Sequence, residues 1–399
     1  MKLTPVVLSQ AEAFARIRLL RSPNIGPVSY RALLARFGTA VAAIEALPDL
    51  GSRGKTPYRP APTDRIEREI EGVNAAGARY LFHDQPHYPA LLGELDSAPP
   101  ILTCRGRLEL ALAPCVAMVG ARNASAASVK LARDWAGEMA RGGFTVVSGL
   151  ARGIDGAAHE GAHPATIGVI ASGIDITYPP RHAELQERIA AEGLLIAEQP
   201  PGTEPRGRHF PSRNRIIAGL ASGTLVVEAA PKSGTLITAR LAGEAGREVM
   251  AIPGSPLDTR SLGCNQLIRD GAVLVQSVED VIELLEGFTG APRSTFRVEE
   301  PGAPFDYAEL RGLEWGEGKP VEDGDRIAGL LTKAPVGVDE LIRQSGMEAA
   351  AVHMALLELE LAGELERHAG GAVSRIWFSL AKITPQAIRS PVDPAGTLV

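Results

Sequence analysis

The chain has 399 residues, 45% of them hydrophobic and 22% charged, with a formal net charge of −6. That length exceeds one ordinary domain, so two or three are expected, and the acidic balance argues against wholesale coating of nucleic acid, leaving any anion binding to local clusters. No apolar run reaches the roughly 18 residues of a transmembrane helix, the N-terminus lacks the order of a secretion signal, and Cys104, Cys115 and Cys264 are too scattered for a disulfide framework, so a cytoplasmic protein without membrane contact is expected.

In chain order, Phe14 to Leu20 and Val28 to Phe37 read as two short amphipathic helices around Pro23-Asn24-Ile25-Gly26-Pro27, followed by Ala40 to Leu47. This module, residues 1–75, is similar to a helix-hairpin-helix or SAM-like domain. Its hairpin could set backbone N–H groups against a DNA phosphate, or the module could serve packing and protein contact. Gly51-Ser52-Arg53-Gly54-Lys55-Thr56 imitates a P-loop, but Asp49 stands where the first glycine is needed and Pro57 follows, so an exposed loop is expected. Ala78 to His83 and Ile101 to Arg105 are strand-like runs leading into a larger sheet.

From Cys115 the pattern becomes regular. Val116 to Val119 is a strand that breaks at Gly120, and Ser125 caps a helix whose apolar residues recur until Gly142-Gly143. Phe144 to Val147 is the next strand, ending in Ser148-Gly149-Leu150-Ala151-Arg152-Gly153, with Asp155 as the helix cap. Strands follow at Thr166 to Ala171, Leu194 to Glu198, Thr224 to Glu228, Glu248 to Ile252 and Ala272 to Gln276. Helices alternate with them at Arg181 to Ala191, Pro211 to Ala221, Thr235 to Gly246, Cys264 to Asp270 and Val278 to Leu285. Strands apolar on both faces and joined by helices predict an α/β fold, a Rossmann-like parallel sheet over residues 76–286 with helices on both sides. Ligands of such sheets sit at the carboxyl ends of the strands.

Residues 287–320, rich in Gly, Pro and acid, read as a linker. In 321–380, helices at Arg326 to Leu331, Val338 to Arg343 and Ala349 to Ala362 precede a strand pair, Glu364 to Arg367 and Val373 to Phe378, which is a winged-helix layout. The third helix carries no Arg or Lys, so protein contact is favoured over duplex DNA reading. Residues 381–399 read as a flexible tail.

Four constellations could bind anions. Gly120, Arg122 and Ser125 offer close backbone approach, a planar cation and a hydroxyl at a helix start, although a solvated turn fits equally. Ser148, Gly149, Arg152 and Gly153 form a loop whose glycines are expected to leave several N–H groups free. Arg213, Asn214 and Arg215 end a run from Arg206 that gathers arginines around Phe210, as sequence-tolerant single-strand binding requires; the plainer alternative is a solvated helix start. Because Arg213 and Arg215 cannot share one helix face, at least one is expected to be structural. Lys232, Ser233, Gly234 and Thr235 repeat the strand-loop-helix geometry. No nucleophile elbow, HExxH, dinucleotide fingerprint or paired-carboxylate cluster accompanies these loops. His159 and His163 lack further ligands and read as a surface pair. No catalytic residue, metal or cofactor is therefore expected, and Asp155 and Glu228 are the acids placed near the crevice.

The segments VGARNAS, SGLARGIDGAAH, SGIDITYPPRH, FPSRNRIIAGLA, SGTLITARLAGEAGREVMAIPG and SLGCNQLIRDGA together resemble the DNA-processing protein A family (DprA, also called Smf) over residues 80–285. The two end modules are similar to family extensions more loosely. The resemblance implies an extended Rossmann-like domain that binds single-stranded DNA, forms a homodimer and loads the recombinase RecA in natural transformation. It implies a phosphate pocket of Arg122, Ser148, Gly149, Arg152, Gly153, Ser233, Gly234 and Thr235, with Arg181 as the basic residue after Tyr178-Pro179. The alternative is a nucleotide-binding or nucleoside-monophosphate-hydrolysing enzyme of the lysine-decarboxylase-like group, but the loop Pro231 to Thr238 lacks the glutamate that such enzymes carry there.

Overall fold

In the computed structural model, which describes residues 8–51, 58–288, 292–296, 320–368 and 371–376 (side chains of 320–322 excepted), four helices come first. These are α1 (Gln10–Leu20), α2 (Pro27–Phe37), α3 (Ala40–Leu50) and α4 (Thr63–Ala75). Hydroxyl caps start two of them: Ser9 Oγ accepts the Glu12 N–H and Thr39 Oγ1 accepts the Ala42 N–H. The sequence reading misses α4 because its apolar stripe, Ile66, Ile70 and Val73, is embedded in charged residues. Ile66 packs with Ile17, Phe82 and Ile101, and Arg16 pairs with Asp84 at 2.7 Å, so these helices are fastened to the first strands. The P-loop-like segment from Ser52 to Thr56 lies outside the described residues.

The central domain contains β1 (Arg79–Phe82), the single turn α5 (Ala90–Gly93), β2 (Ile101–Gly106), β3 (Cys115–Val119), α6 (Ala126–Arg141), β4 (Thr145–Ser148), α7 (Ile154–Ala162), β5 (Thr166–Gly173) and α8 (Ala183–Glu192). It continues with β6 (Leu194–Gln199), α9 (His209–Leu220), β7 (Gly223–Val226), α10 (Gly234–Glu244), β8 (Glu248–Ala251), α11 (Leu262–Arg269), β9 (Val273–Leu274) and α12 (Val278–Glu286). One sheet takes all nine strands in the order β1-β2-β6-β5-β4-β3-β7-β8-β9. From β6 to β9 neighbouring strands run parallel, with Val116 opposite both Val146 and Gly223. The expected parallel core is extended at one end by the two strand-like runs that lead into it, where β2 pairs antiparallel with both β1 and β6. From β3 the chain winds outward through β4, β5 and β6 on one side and through β7, β8 and β9 on the other, which puts the topological switch point between β3 and β7. Apolar clusters cover both faces, one around Val147, Ile196 and Ile217, the other around Val116, Met139 and Ile154.

The expected linker starts inside the domain. Phe296 is buried in the main core, the N–H groups of Thr295 and Phe296 donate to Gly271 O, and the Glu248 carboxylate accepts the Ser294 N–H at 2.9 Å. Residues 289–291 and 297–319 lie outside the described residues, as does the tail from 381. The C-terminal module comprises α13 (Pro320–Leu330), β10 (Val336–Gly337), α14 (Val338–Ser345), α15 (Ala349–Leu361), β11 (Leu365–Arg367) and β12 (Ala372–Arg375), its strands ordered β10-β12-β11. The two-residue β10 is too short to leave a period-two pattern. Val352, Ala355, Leu356 and Leu359 of α15 face their own module, whereas Leu357 and Leu361 enter the core of α1 to α3 beside Leu19, Tyr30 and Leu33. Asn24 Nδ2 donates to Leu361 O at 2.9 Å at that junction. A third helix buried on two sides explains why it carries no basic side chains.

Candidate functional site

The loops after β3, β4 and β5 meet the start of α9 around an open cavity of about 330 Å³. Arg122, Gly149, Leu150, Ala151, Arg152, Tyr178, Pro179, Phe210 and Arg213 line it. The Arg122 guanidinium lies 5.4 Å from the Phe210 ring centroid, and the Tyr178 ring is 5.9 Å from the same ring on a tilted plane. Arg122 and Arg152 are exposed, so the lining presents a cation on an aromatic face and a second cation besides.

Two glycines make this junction possible. Gly153 has φ 76°, and a Cβ there would lie 2.3 Å from Ala121 O, so the first two loops press together only without a side chain. At Gly149 a Cβ would meet the Arg213 guanidinium at 1.9 Å. Arg213 is thus the floor beneath the second loop. It is buried, donates to Val169 O at 2.7 Å, and is brought down to about 10 by burial, which the nearby Asp155 opposes.

Three amides of the second loop, expected to be free, are instead taken up inside the protein, as buried amides shielded from water must be. In the second loop, Gly149 and Ala151 N–H donate to Asp155 Oδ2 at 3.2 and 3.4 Å, and Leu150 N–H donates to His159 Nε2 at 3.3 Å. Ser148 Oγ donates to Met118 O at 2.7 Å, inside the core. Leu150 adopts φ 55°, a left-handed conformation held from both sides, since its carbonyl accepts from His182 Nδ1 at 2.9 Å. In the first loop, the start of α6 is filled by the Glu228 carboxylate, which accepts the Ser125 N–H at 3.2 Å and the hydroxyls of Ser125 and Ser128 at 2.8 and 2.7 Å. In the third, Ser233 Oγ caps Thr235 N–H, and Thr235 Oγ1 donates to Gly120 O at 2.9 Å, tying this loop to the first.

His159 is the clearest departure from the surface-pair reading. It is fully buried, with Nδ1 2.7 Å from Thr166 Oγ1, and burial pushes its ring down to about 3, so it is neutral at physiological pH. Burial pushes Asp155 up, with Arg213 pulling the other way.

The structure brings Arg122, Gly149, Arg152 and Arg213 to one cavity. Gly120, Ser125, Ser148 and Gly153 lie behind it and shape the loops. The other expected residues are placed elsewhere: Arg215 pairs with Glu198 and donates to Ser97 O, Asn214 is half-buried outside the cavity, and Arg181 is exposed on the turn ahead of α8. Lys232 is exposed at φ 64°, and neither it nor Ser233 and Gly234, which follow it, belongs to the lining. Leu150, Ala151 and Phe210 join the lining, and Phe210 was visible in sequence as the aromatic within the arginine run. No cluster of three metal-ligating side chains occurs among the described residues, and no helix among them is long and apolar enough to cross a membrane.

Residues 79–286 match the family model described as DNA recombination-mediator protein A, residues 10–72 a DprA-like N-terminal HHH domain, and residues 319–371 a DprA winged helix domain. The chain is similar to Protein Smf of Synechocystis sp., 36% identical over 75% of this chain and 81% of that protein. It is 45% identical to DNA processing protein DprA of Streptococcus pneumoniae over 50% of this chain and 71% of that one. The X-ray structure of the pneumococcal DprA aligns over 71% of this chain and 98% of its own, with 34% identity and a TM-score of 0.58.

Proposed function

The chain belongs to the family of DNA recombination-mediator protein A, the DprA/Smf proteins of DNA processing, and on that premise we propose that its cavity holds single-stranded DNA. The observation that carries this reading is Arg122 stacked on Phe210, with Tyr178 beside it and Arg152 in the same lining. An aromatic face takes any base, and a guanidinium next to it takes the phosphate that follows, so binding is tight without reading sequence. A duplex hides its base faces and gains nothing from Phe210. The binding reading is also supported by the two acids of the crevice: Asp155 and Glu228 are buried and engaged by loop donors rather than aimed at the cavity as a base.

Anisotropy titrations with a single-stranded oligonucleotide and its duplex test the proposal. Affinity in the micromolar range or tighter for the single strand, weakening with salt and reduced by Arg122→Ala and by Phe210→Ala, is the expected result. Unchanged binding in both variants removes the cavity from the reading. Nucleoside monophosphate hydrolysis measured beside it would put an enzyme in its place. The family premise further supports a role in natural transformation, in which a homodimer of this chain protects the incoming strand and loads RecA in the cytoplasm. Strand exchange on coated DNA with and without this protein, and sedimentation of the chain alone, check those two parts.

A further inference from the structure

Open parallel sheets take their ligands at the switch point, where neighbouring loops part and leave a crevice. Here that point lies between the ends of β3 and β7, yet the cavity lies to one side, over β3, β4 and β5. The switch point has an occupant. Glu228 follows β7, is 4% exposed, and lays its carboxylate on the positive end of the 16-residue helix α6. Three donors of the α6 terminus meet it: the Ser125 N–H at 3.2 Å, the Ser125 hydroxyl at 2.8 Å and the Ser128 hydroxyl at 2.7 Å. That is the reception a phosphate receives at a helix start, given instead to a carboxylate of the chain. The same residue's backbone carbonyl accepts the Ala121 N–H at 2.7 Å. Glu228 therefore holds both ends of the turn from Ala121 to Ser125, and Arg122 stands within it.

We propose that Glu228 determines what the crevice accepts: its carboxylate is a built-in substitute for phosphate that keeps free nucleotides out of the switch point and positions Arg122 for a strand alongside. The proposal rests on the single-strand reading for the second half and on the geometry of α6 for the first. A helix start with three donors and no anion is an unfilled site, so removing the carboxylate creates affinity where none existed. A carboxylate with only a packing role predicts loss of stability and no gained ligand.

The test compares wild type, Glu228→Ala and Glu228→Gln, with inorganic phosphate, dAMP and acetate as probes against chloride at matched ionic strength. Calorimetric titration and the rise in melting temperature with anion concentration read binding. Glu228→Ala is expected to bind phosphate at least tenfold more tightly than wild type. Its single-strand affinity should be lowered, restored by acetate or phosphate, and subject to competition by dAMP. Glu228→Gln fills the same volume and is expected to gain no phosphate affinity. A folded Glu228→Ala that binds phosphate no better than wild type overturns the proposal. If that variant folds only when anion is present, phosphate or acetate will restore its melting transition, and failure of both to do so also overturns it. Absence of DNA binding in the wild type would instead remove the single-strand reading, while the phosphate comparison still decides whether Glu228 fills an anion site.

Discussion

Two pairs of arginines that look alike in the chain end in opposite environments. Arg122 and Arg152 stand exposed on the lining of the cavity. Arg213 and Arg215, from the densest basic run of the sequence, are turned into the protein, one onto Val169 O beneath Gly149 and the other onto Glu198. The difference is one of stiffness: the buried pair fixes the shape of the site, and the exposed pair remains available to meet a ligand. A count of positive charge along the chain sees only their number, whereas function divides along the direction in which each helix or loop aims them.

That division can be broken experimentally. The largest effect is expected from Arg213→Met, which removes the buried guanidinium that donates to Val169 O beneath Gly149 and is expected to cost roughly 1.5–3 kcal/mol of stability in denaturant unfolding. Loss of DNA affinity with full stability would place Arg213 among the exposed group instead. Next comes pH. The folded His159 ring titrates at about 3, far below the ordinary histidine value, so the unfolded chain binds the proton first. Its contribution is complete above pH ~6.5 and falls as the pH drops towards 3, by about 1.4 kcal/mol per pH unit. Urea midpoints from pH 7 to 4 should show this slope, and His159→Gln should flatten it. Phe210→Ala should weaken single-strand binding by about 1–3 kcal/mol with little change in melting temperature. Smallest is the contrast between Arg122→Ala and Arg215→Ala. The first lowers the slope of log affinity against log salt by about 1, and the second leaves that slope alone while costing roughly 1–2 kcal/mol of stability. A changed salt slope in Arg215→Ala would join the two pairs into one.

Much of this arrangement was legible beforehand. Alternation of apolar runs with 3.6-period helices located the strands of the parallel region, because a strand covered on both faces has no polar side to blur it. Arg152 was visible as a residue type a structural turn does not need, and Phe210 as the aromatic within an arginine run, whereas Arg122 fitted a solvated turn equally well. The occupants of the loops were not legible: Glu228 is 103 residues from Ser125 in the chain, and nothing local says that its carboxylate ends on that helix. His159 was misread because i, i+4 spacing with His163 describes a helix face without saying which way the face points. Its burial depends on Thr166 and on the left-handed turn at Leu150, both made by folding.

The placement of α15 bears on how the protein is made. Asn24 and Leu361, hydrogen-bonded across the junction, are 337 residues apart, and the apolar core of the first three helices is completed by Leu357 and Leu361. At ordinary rates of synthesis, roughly 5–20 residues per second, the helices that emerge first wait about 20–70 s for the helix that closes them. During that interval Leu33 and its neighbours present an unfinished apolar surface to the cell. The earlier-made side of this contact is therefore finished only when its later-made side arrives, and exposure to chaperones and proteases is greatest before then.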